Sequence, residues 1–141
     1  MKVKVKYHTD ILPLEQTDNG DWIDLRAAED VEMKAGDFKI ISLGISMKLP
    51  KGYEAHIIPR SSTFKTWGII QTNHMGLIDN TYCGEDDIWM FPALATRDII
   101  IKKNDRICQF RVEKKMESLE FETVDKMEDA NRGGFGSSGK V

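Results

Sequence analysis

The chain has few long apolar runs, little helical periodicity, only two cysteines and no excess of one charge, and each shortage closes off a class of protein. Cys83 and Cys108 form neither a CxxC pair nor a zinc-ligand spacing, so they read as reduced thiols that pack as small hydrophobes. No apolar run approaches the ~18 residues of a membrane span. The N-terminus, Met1 to Tyr7, alternates lysine with valine where a signal peptide is continuously apolar. A cytoplasmic, intracellular protein with no membrane partner is expected. With 20 basic against 23 acidic residues and a net charge of -3, no global field draws in a nucleic-acid polymer, and a polyanionic ligand needs a local basic site. His8, His56 and His74 are scattered and read as structural or surface residues.

What is present is a series of short β signals. Residues 2–7 alternate as a half-buried strand does. Phe38 to Ser42, Gly44 to Leu49 and Tyr53 to Ile58 are strand-like runs separated by Gly and Pro turn signals. Ile88 to Phe91, Ile99 to Ile101, Arg106 to Val112 and Leu119 to Val124 continue the pattern, and Thr63 to Ile70 suits a short helix or a loop. At 141 residues the chain is long enough for one domain that buries roughly 68–70% of its unfolded surface without a disulfide or a structural metal. From Asp125 the composition shifts to Asp, Glu, Asn and Gly, which cannot build a core. The expectation is an all-β protein, a distorted jelly roll or β-barrel over residues 1–128, with a flexible glycine-rich tail over 129–141.

Three stretches carry chemistry. Gly76 to Glu85 places Asp79 and Tyr82 between two glycines, and Leu77-Ile78, then Asp79-Asn80, then Tyr82 read as strand, turn and return, a hairpin. A carboxylate at such a tip suits a base that activates water, although Asp-Asn also simply makes turns. Pro59-Arg60-Ser61-Ser62 ends a strand in a guanidinium, two hydroxyls and backbone N–H groups, donors that suit phosphate oxygens as readily as they furnish an ordinary turn. Arg132 to Gly139 combines a cation, four glycines, Ser137, Ser138 and one bulky aromatic, Phe135. Such backbone can wrap a polyphosphate and such an aromatic can stack on a base, while Gly/Ser composition alone also describes a linker.

Together these residues resemble the trimeric deoxyuridine triphosphatase (dUTPase) family, whose five short motifs occur here in order. Trp22-Ile23-Asp24-Leu25 resembles the first, Pro59 to Ser62 the second, Gly76 to Glu85 the third, Asp105-Arg106-Ile107-Cys108-Gln109 the fourth and Arg132 to Gly139 the fifth. The resemblance implies that Asp79 activates the water attacking the α-phosphorus of dUTP, releasing dUMP and pyrophosphate. It implies that Tyr82 lies against the deoxyribose and that Asn73, with backbone near Gly76 and Ile78, bonds the uracil edge. Ser61 and Ser62, Arg60 and Gln109 would contact the phosphate chain. Arg132 would hold the terminal phosphates and Phe135 would stack on uracil, with Gly136 and Ser137 closing beside it. Asp24 and Arg106 occupy motif positions with a structural or uncertain role. The family further implies Mg2+ carried by the triphosphate and water with no direct protein ligand, and a homotrimer whose sites lie between subunits, each covered by a tail. Two other functions are compatible with parts of this pattern. A dCTP deaminase of the same fold would carry a glutamate five residues past the hairpin's second glycine, where this chain has Trp89. A regulatory protein would keep the nucleotide pocket and act by binding a partner.

Overall fold

The computed structural model describes residues 1–141. In chain order the elements are β1 (Lys4–Tyr7), β2 (Ile23–Arg26), β3 (Val31–Met33), β4 (Phe38–Ser42), β5 (Ile45–Lys48), β6 (Tyr53–Pro59), α1 (Thr63–Trp67), β7 (Ile69–Gln71), β8 (Gly76–Ile78), β9 (Met90–Ala95), β10 (Ile99–Ile101) and β11 (Arg106–Lys114). All pairings are antiparallel, in sheets ordered β1-β5, β10-β3, β2-β11-β6-β8 and β4-β9-β7. The class is the expected one, an all-β jelly roll with a single short helix. No helix is long and apolar enough to cross a membrane.

Period-two alternation builds the interior. On β6 Ala55 and Ile57 point inward, on β11 Cys108 and Phe110, and on β9 Phe91, Ala93 and Ala95. They join Leu25, Ile45, Ile101 and Ile107 in one cluster of 22 buried residues. Trp89 packs edge-on against Phe110 with ring centroids 5.2 Å apart.

Four local expectations change. The 76–85 segment is not a hairpin: β8 pairs only with β6, and no strand returns alongside it. The reason is local bonding. The Asp79 carboxylate takes the Thr81 N–H, and the Tyr82 N–H goes to the Asp79 carbonyl. Gly84 and Asp87 then close a second turn, and the Trp89 N–H is drawn inward to the Ile45 carbonyl. Second, the strand expected to begin at Ile88 begins at Met90. Third, Leu119 to Val124 forms no strand within the chain, because no edge of its own sheets receives it; every residue from Lys114 to Val141 is exposed. Fourth, the strand expected to end at Val112 runs on to Lys114.

Two features of the framework set up the site. Opposite β2 the register of β11 shifts between Arg106 and Cys108, a bulge that leaves Arg106 exposed while Ile107 and Cys108 are both buried. The buried Thr63 at the start of α1 ties the Arg60–Ser62 bend down, its hydroxyl donating to the Ile107 carbonyl at 2.9 Å and accepting the Arg60 N–H at 2.8 Å. Thr63→Val keeps the shape but leaves both groups unpaired. It should lower stability by about 1–3 kcal/mol, read as a lower denaturation midpoint with an unchanged m-value.

Candidate active site

The motif residues fall into two clusters and a tail. The first cluster surrounds a cleft of about 400 Å³ lined by Asn73, Gly76, Ile78, Asp79, Thr81 and Tyr82 from the β8 side, with Ile57 of β6, Ile40 of β4, and Met90 and Pro92 of β9 opposite. Gly76 forms its floor. A Cβ there would stand 3.1 Å from the Cβ of Ile57, tighter than nine in ten real contacts, so glycine lets β8 approach β6 this closely without displacing Ile57. Asn73 precedes His74, which adopts a positive φ of 64°, and the Met75 N–H returns to the Asn73 carbonyl at 2.6 Å. That tight turn presents the Asn73 side chain, which has no partner within the chain, to the cleft. His74 is exposed and takes no part in the lining.

Asp79 follows the last residue of β8 and is exposed. Its Oδ1 accepts the Thr81 N–H at 2.7 Å and also the Thr81 hydroxyl. These two donors, the hydroxyl foremost, hold the carboxyl below its usual value of 3.8. The sign is that of a depressed acid: Asp79 is ionised throughout the neutral range and loses its charge only as pH falls below the ordinary carboxylate value. The Tyr82 hydroxyl donates to the Ile88 carbonyl at 2.9 Å, which fixes the ring at the cleft mouth.

The second cluster lies at the far end of β6. Asp24 joins two guanidiniums, Arg60 Nε at 2.9 Å and Arg106 at 3.3 Å, and Arg60 also donates to the Arg106 carbonyl at 3.2 Å. Two cations share one carboxylate, so the bend keeps a net positive charge. Gln109 Nε2 donates to the Pro59 carbonyl at 3.1 Å, which leaves its side-chain oxygen free. Ser62 is the cap residue of α1 but makes no side-chain cap bond, and the exposed Ser61 hydroxyl is likewise without a partner in the chain.

The β6–β8 register separates the two clusters. Ile78 faces Ala55, so Asp79 lies beside Glu54, six residues from Arg60. At ~3.3 Å per residue the two sites are about 20 Å apart along the strand, too far to serve one phosphate group. The tail touches neither. Phe135 is fully exposed with a positive φ of 52°, between Gly133 and Gly136 at 85° and 84°, and two successive turns close through Ser137 N–H to Gly134 and Gly139 N–H to Gly136. Within one chain the structure thus unites Asn73, Gly76, Ile78, Asp79 and Tyr82, separately unites Arg60, Ser61, Ser62, Gln109, Asp24 and Arg106, and leaves Arg132, Phe135, Gly136 and Ser137 apart.

Sequence reasoning missed Thr81 and the apolar wall of Ile40, Ile57, Ile88, Met90 and Pro92. Ile40 and Met90 gave little signal singly, because an exposed apolar residue is ordinary, and only their clustering with Phe38 and Leu94 marks a surface with a use. Thr81 left no such mark, because its role depends on a turn closing over two residues. The acidic run Glu85-Asp86-Asp87 is a turn with Glu85 and Asp86 exposed and Asp87 half-buried, and nowhere do three His, Cys, Asp or Glu side chains converge as a metal cage.

Residues 9–139 match the family model described as dUTPase. The chain is 55% identical over 143 residues to the SPbeta prophage-derived deoxyuridine 5'-triphosphate nucleotidohydrolase YosS of Bacillus subtilis (strain 168), with 99% of each chain covered. It is 34% identical over 143 residues to the deoxyuridine 5'-triphosphate nucleotidohydrolase of Helicobacter pylori (strain 26695), covering 99% of this chain and 97% of that one. Among solved structures, a mutant of Staphylococcus bacteriophage 80alpha dUTPase with dUpNHpp shares the fold at a TM-score of 0.78 and 19% identity, with 98% of each chain covered. A mutant dUTPase from phage phi11 of S. aureus, whose structure reveals the coordination of a structural Mg(II) ion, does so at a TM-score of 0.75 and 14% identity, covering 92% of this chain and all of that one. With its family model and full-length relatives in agreement, this chain belongs to the dUTPase family, the nucleotidohydrolases of deoxyuridine 5'-triphosphate.

Proposed function

We propose that the chain hydrolyses dUTP to dUMP and pyrophosphate with Asp79 as general base, in a site assembled from more than one copy of the chain. The observation that carries this reading is Asp79 itself: a carboxylate held ionised, exposed, at the mouth of a cleft lined by Asn73, Gly76 and Tyr82. Uracil enters against Gly76 and Ile78 with its polar edge toward Asn73 and nearby backbone, and the deoxyribose lies against Tyr82. A polar pocket built for one base edge discriminates strongly, because the wrong base leaves buried donors and acceptors unpaired. Water attacks the α-phosphorus as its proton passes to Asp79. The bond from that phosphorus to the α–β bridging oxygen breaks, and pyrophosphate leaves with the electron pair. Ser61, Ser62, Arg60 and Gln109 hold the phosphate oxygens, where placement and charge neutralisation account for most of the rate.

Mg2+ fits as part of the substrate rather than of the protein. The side chains offer no cage of three ligands, and Mg2+ ordinarily keeps several waters. Bound to the triphosphate, it would neutralise charge on the leaving group.

Association follows from chemical distance. A base must lie within hydrogen-bond reach of its water, and the groups holding the leaving oxygen within a few ångströms of it. One chain separates them by about 20 Å along β6, so Asp79 of one copy works with Arg60 and Ser61 of another. A homotrimer with three sites between subunits satisfies this. The chain also carries surface suited to association: Phe38, Ile40, Ile70, Met90 and Leu94 form an exposed apolar face on the β4-β9-β7 sheet. In addition, Leu119-Glu120-Phe121-Glu122 alternates as a strand complementary to Lys2-Val3-Lys4-Val5 on the free edge of β1. The arm, residues 129–141, would then reach a neighbouring site, placing Phe135 over uracil and Arg132 on the terminal phosphates, with Gly136 and Ser137 against the chain of phosphates. Deamination of dCTP is disfavoured because Trp89, where that chemistry needs an acid, is fully buried against Phe110.

Asp79→Asn should abolish turnover while dUTP affinity stays within about tenfold, as when a group acting in the transition state is removed; retained pyrophosphate release would refute the base. Deleting residues 132–141 should cut kcat sharply with little change in Tm, since that segment is unpacked in the chain. The shared site has its own check. Asp79→Asn and Ser61→Ala chains, each inactive alone, should regain measurable activity when unfolded and refolded together, because some mixed sites draw Asp79 and Ser61 from the two intact sources. No recovery in verified mixed oligomers would place both groups in one chain's site.

A further inference from the structure

We infer that Thr81 is a positioning residue for the reaction, its hydroxyl and its N–H together occupying Oδ1 of Asp79 so that Oδ2 is the oxygen left to orient the attacking water. The inference rests on Asp79 being the base, and it goes beyond that reading by assigning the two carboxylate oxygens different tasks.

The geometry is specific. Asp79 lies in a loop with no strand beyond it, and its side chain is exposed, so packing does not restrict it. An aspartate χ2 is broad and nearly two-fold, and an unrestrained carboxylate presents either oxygen in a range of directions. Here one residue supplies two donors to one oxygen: the Thr81 N–H at 2.7 Å and the Thr81 hydroxyl, both on Oδ1. An ionised carboxylate oxygen has about two acceptor positions, so Oδ1 is filled. Neither Thr81 bond uses Oδ2, and the Tyr82 N–H, whose partner is the Asp79 main-chain carbonyl, acts on the carboxyl only as a lesser influence. The backbone bond alone would form an Asx turn with most residues at position 81, and the hydroxyl is what makes the arrangement two-point and fixes the carboxylate plane. The Tyr82 N–H, at 3.2 Å from the Asp79 carbonyl, secures the same turn from the main chain.

Other charges do not substitute for this restraint. Lys115, just beyond β11, acts on Asp79 only weakly through space. Glu54, beside Asp79 by extension of the β6–β8 register, is itself paired with His56 Nε2 at 2.6 Å. Glu113, across from Glu54 on β11, is paired with Arg111 Nε at 2.6 Å. The Tyr82 phenol is bonded to Ile88. The same two donors hold the Asp79 carboxyl below its usual value, so loss of the hydroxyl has two signatures, misplacement and a carboxyl pKa that rises toward 3.8.

The experiment compares Thr81→Val and Thr81→Ser with the parent enzyme, using dUTP and Mg2+ for steady-state kinetics and carbon-detected NMR titration of the Asp79 carboxyl in the full-length protein. Thr81→Val should lower kcat about tenfold or more with KM within about threefold, a size typical of a slightly misplaced reacting group. Its Asp79 titration should move up. Thr81→Ser should restore both, since it keeps the hydroxyl and loses only the methyl. Should Thr81→Val fail to fold, Thr81→Ala is scored by the same criteria. Unchanged kcat and titration in the valine variant would overturn the proposal, as would a serine variant as impaired as the valine one, which would assign the effect to packing. An active Asp79→Asn enzyme would instead remove the base on which the inference stands, so the two failures are distinguishable.

Discussion

The constraint on which the rest depends is the antiparallel register of β6 with its two neighbours. β11 on one side and β8 on the other read off the same seven-residue strand. Pairing with β8 brings Asp79 to the Glu54 end, and pairing with β11 brings Arg106 and Gln109 to the Pro59 end. Because side chains alternate faces, a shift of one residue in either ladder would turn Ala55 and Ile57 out of the core, so the register is held by burial. The distance between the two clusters is therefore built into the fold as firmly as the core is. On the proposed reading, such an enzyme would place its base and its phosphate contacts on opposite ends of one strand and join them by association.

That arrangement accounts for features of the chain that look uneconomical in isolation. Outward-facing Phe38, Ile40 and Leu94 give one sheet an apolar outer surface, and the 27 residues following Lys114 bury nothing. A monomer gains no stability from either. In the proposed assembly with shared sites, the first would become contact surface and the second the cover that Asp79 at the cleft mouth lacks.

Much of the fold was legible because it rests on local signals: alternation in β1 and β11, and strand-like runs between Gly or Pro turns for β4, β5 and β6, although β1, expected half-buried, is exposed from Lys4 to Lys6 and only partly covered at Tyr7. The candidate site residues stand in short, ordered motifs of guanidinium, hydroxyls, carboxylate and glycines, and the structure gathers Asn73, Gly76, Ile78, Asp79 and Tyr82 from one of these stretches and its approach around a single cleft. What could not be read were features decided by bonds between elements. The 76–85 hairpin failed because Asp79 and Asp87 capture nearby N–H groups that a return strand would have used. Leu119 to Val124 has the alternation of a strand, but alternation does not say whether a partner edge lies in the same chain. Cys108, read as a small packed residue, is fully buried on β11 as that reading requires, with its thiol pKa pushed up by burial.

An exposed aspartate whose pKa is lowered is a weak base, and on the proposed reading its weakness has to be compensated. Covering the site with the arm would expel water and strengthen every charge interaction inside, yet the same loss of solvent disfavours the ionised carboxylate and raises its pKa. Left alone, Asp79 would drift toward the protonated form when it is needed as an acceptor. The two Thr81 donors oppose that drift, because they bond the charged form and persist when solvent leaves. They also fix the oxygen that faces the water, so the reaction gains from placement what it gives up in intrinsic basicity. The open chain and the proposed closed assembly would thus ask different things of Asp79, and a neighbour two residues away in the sequence meets both.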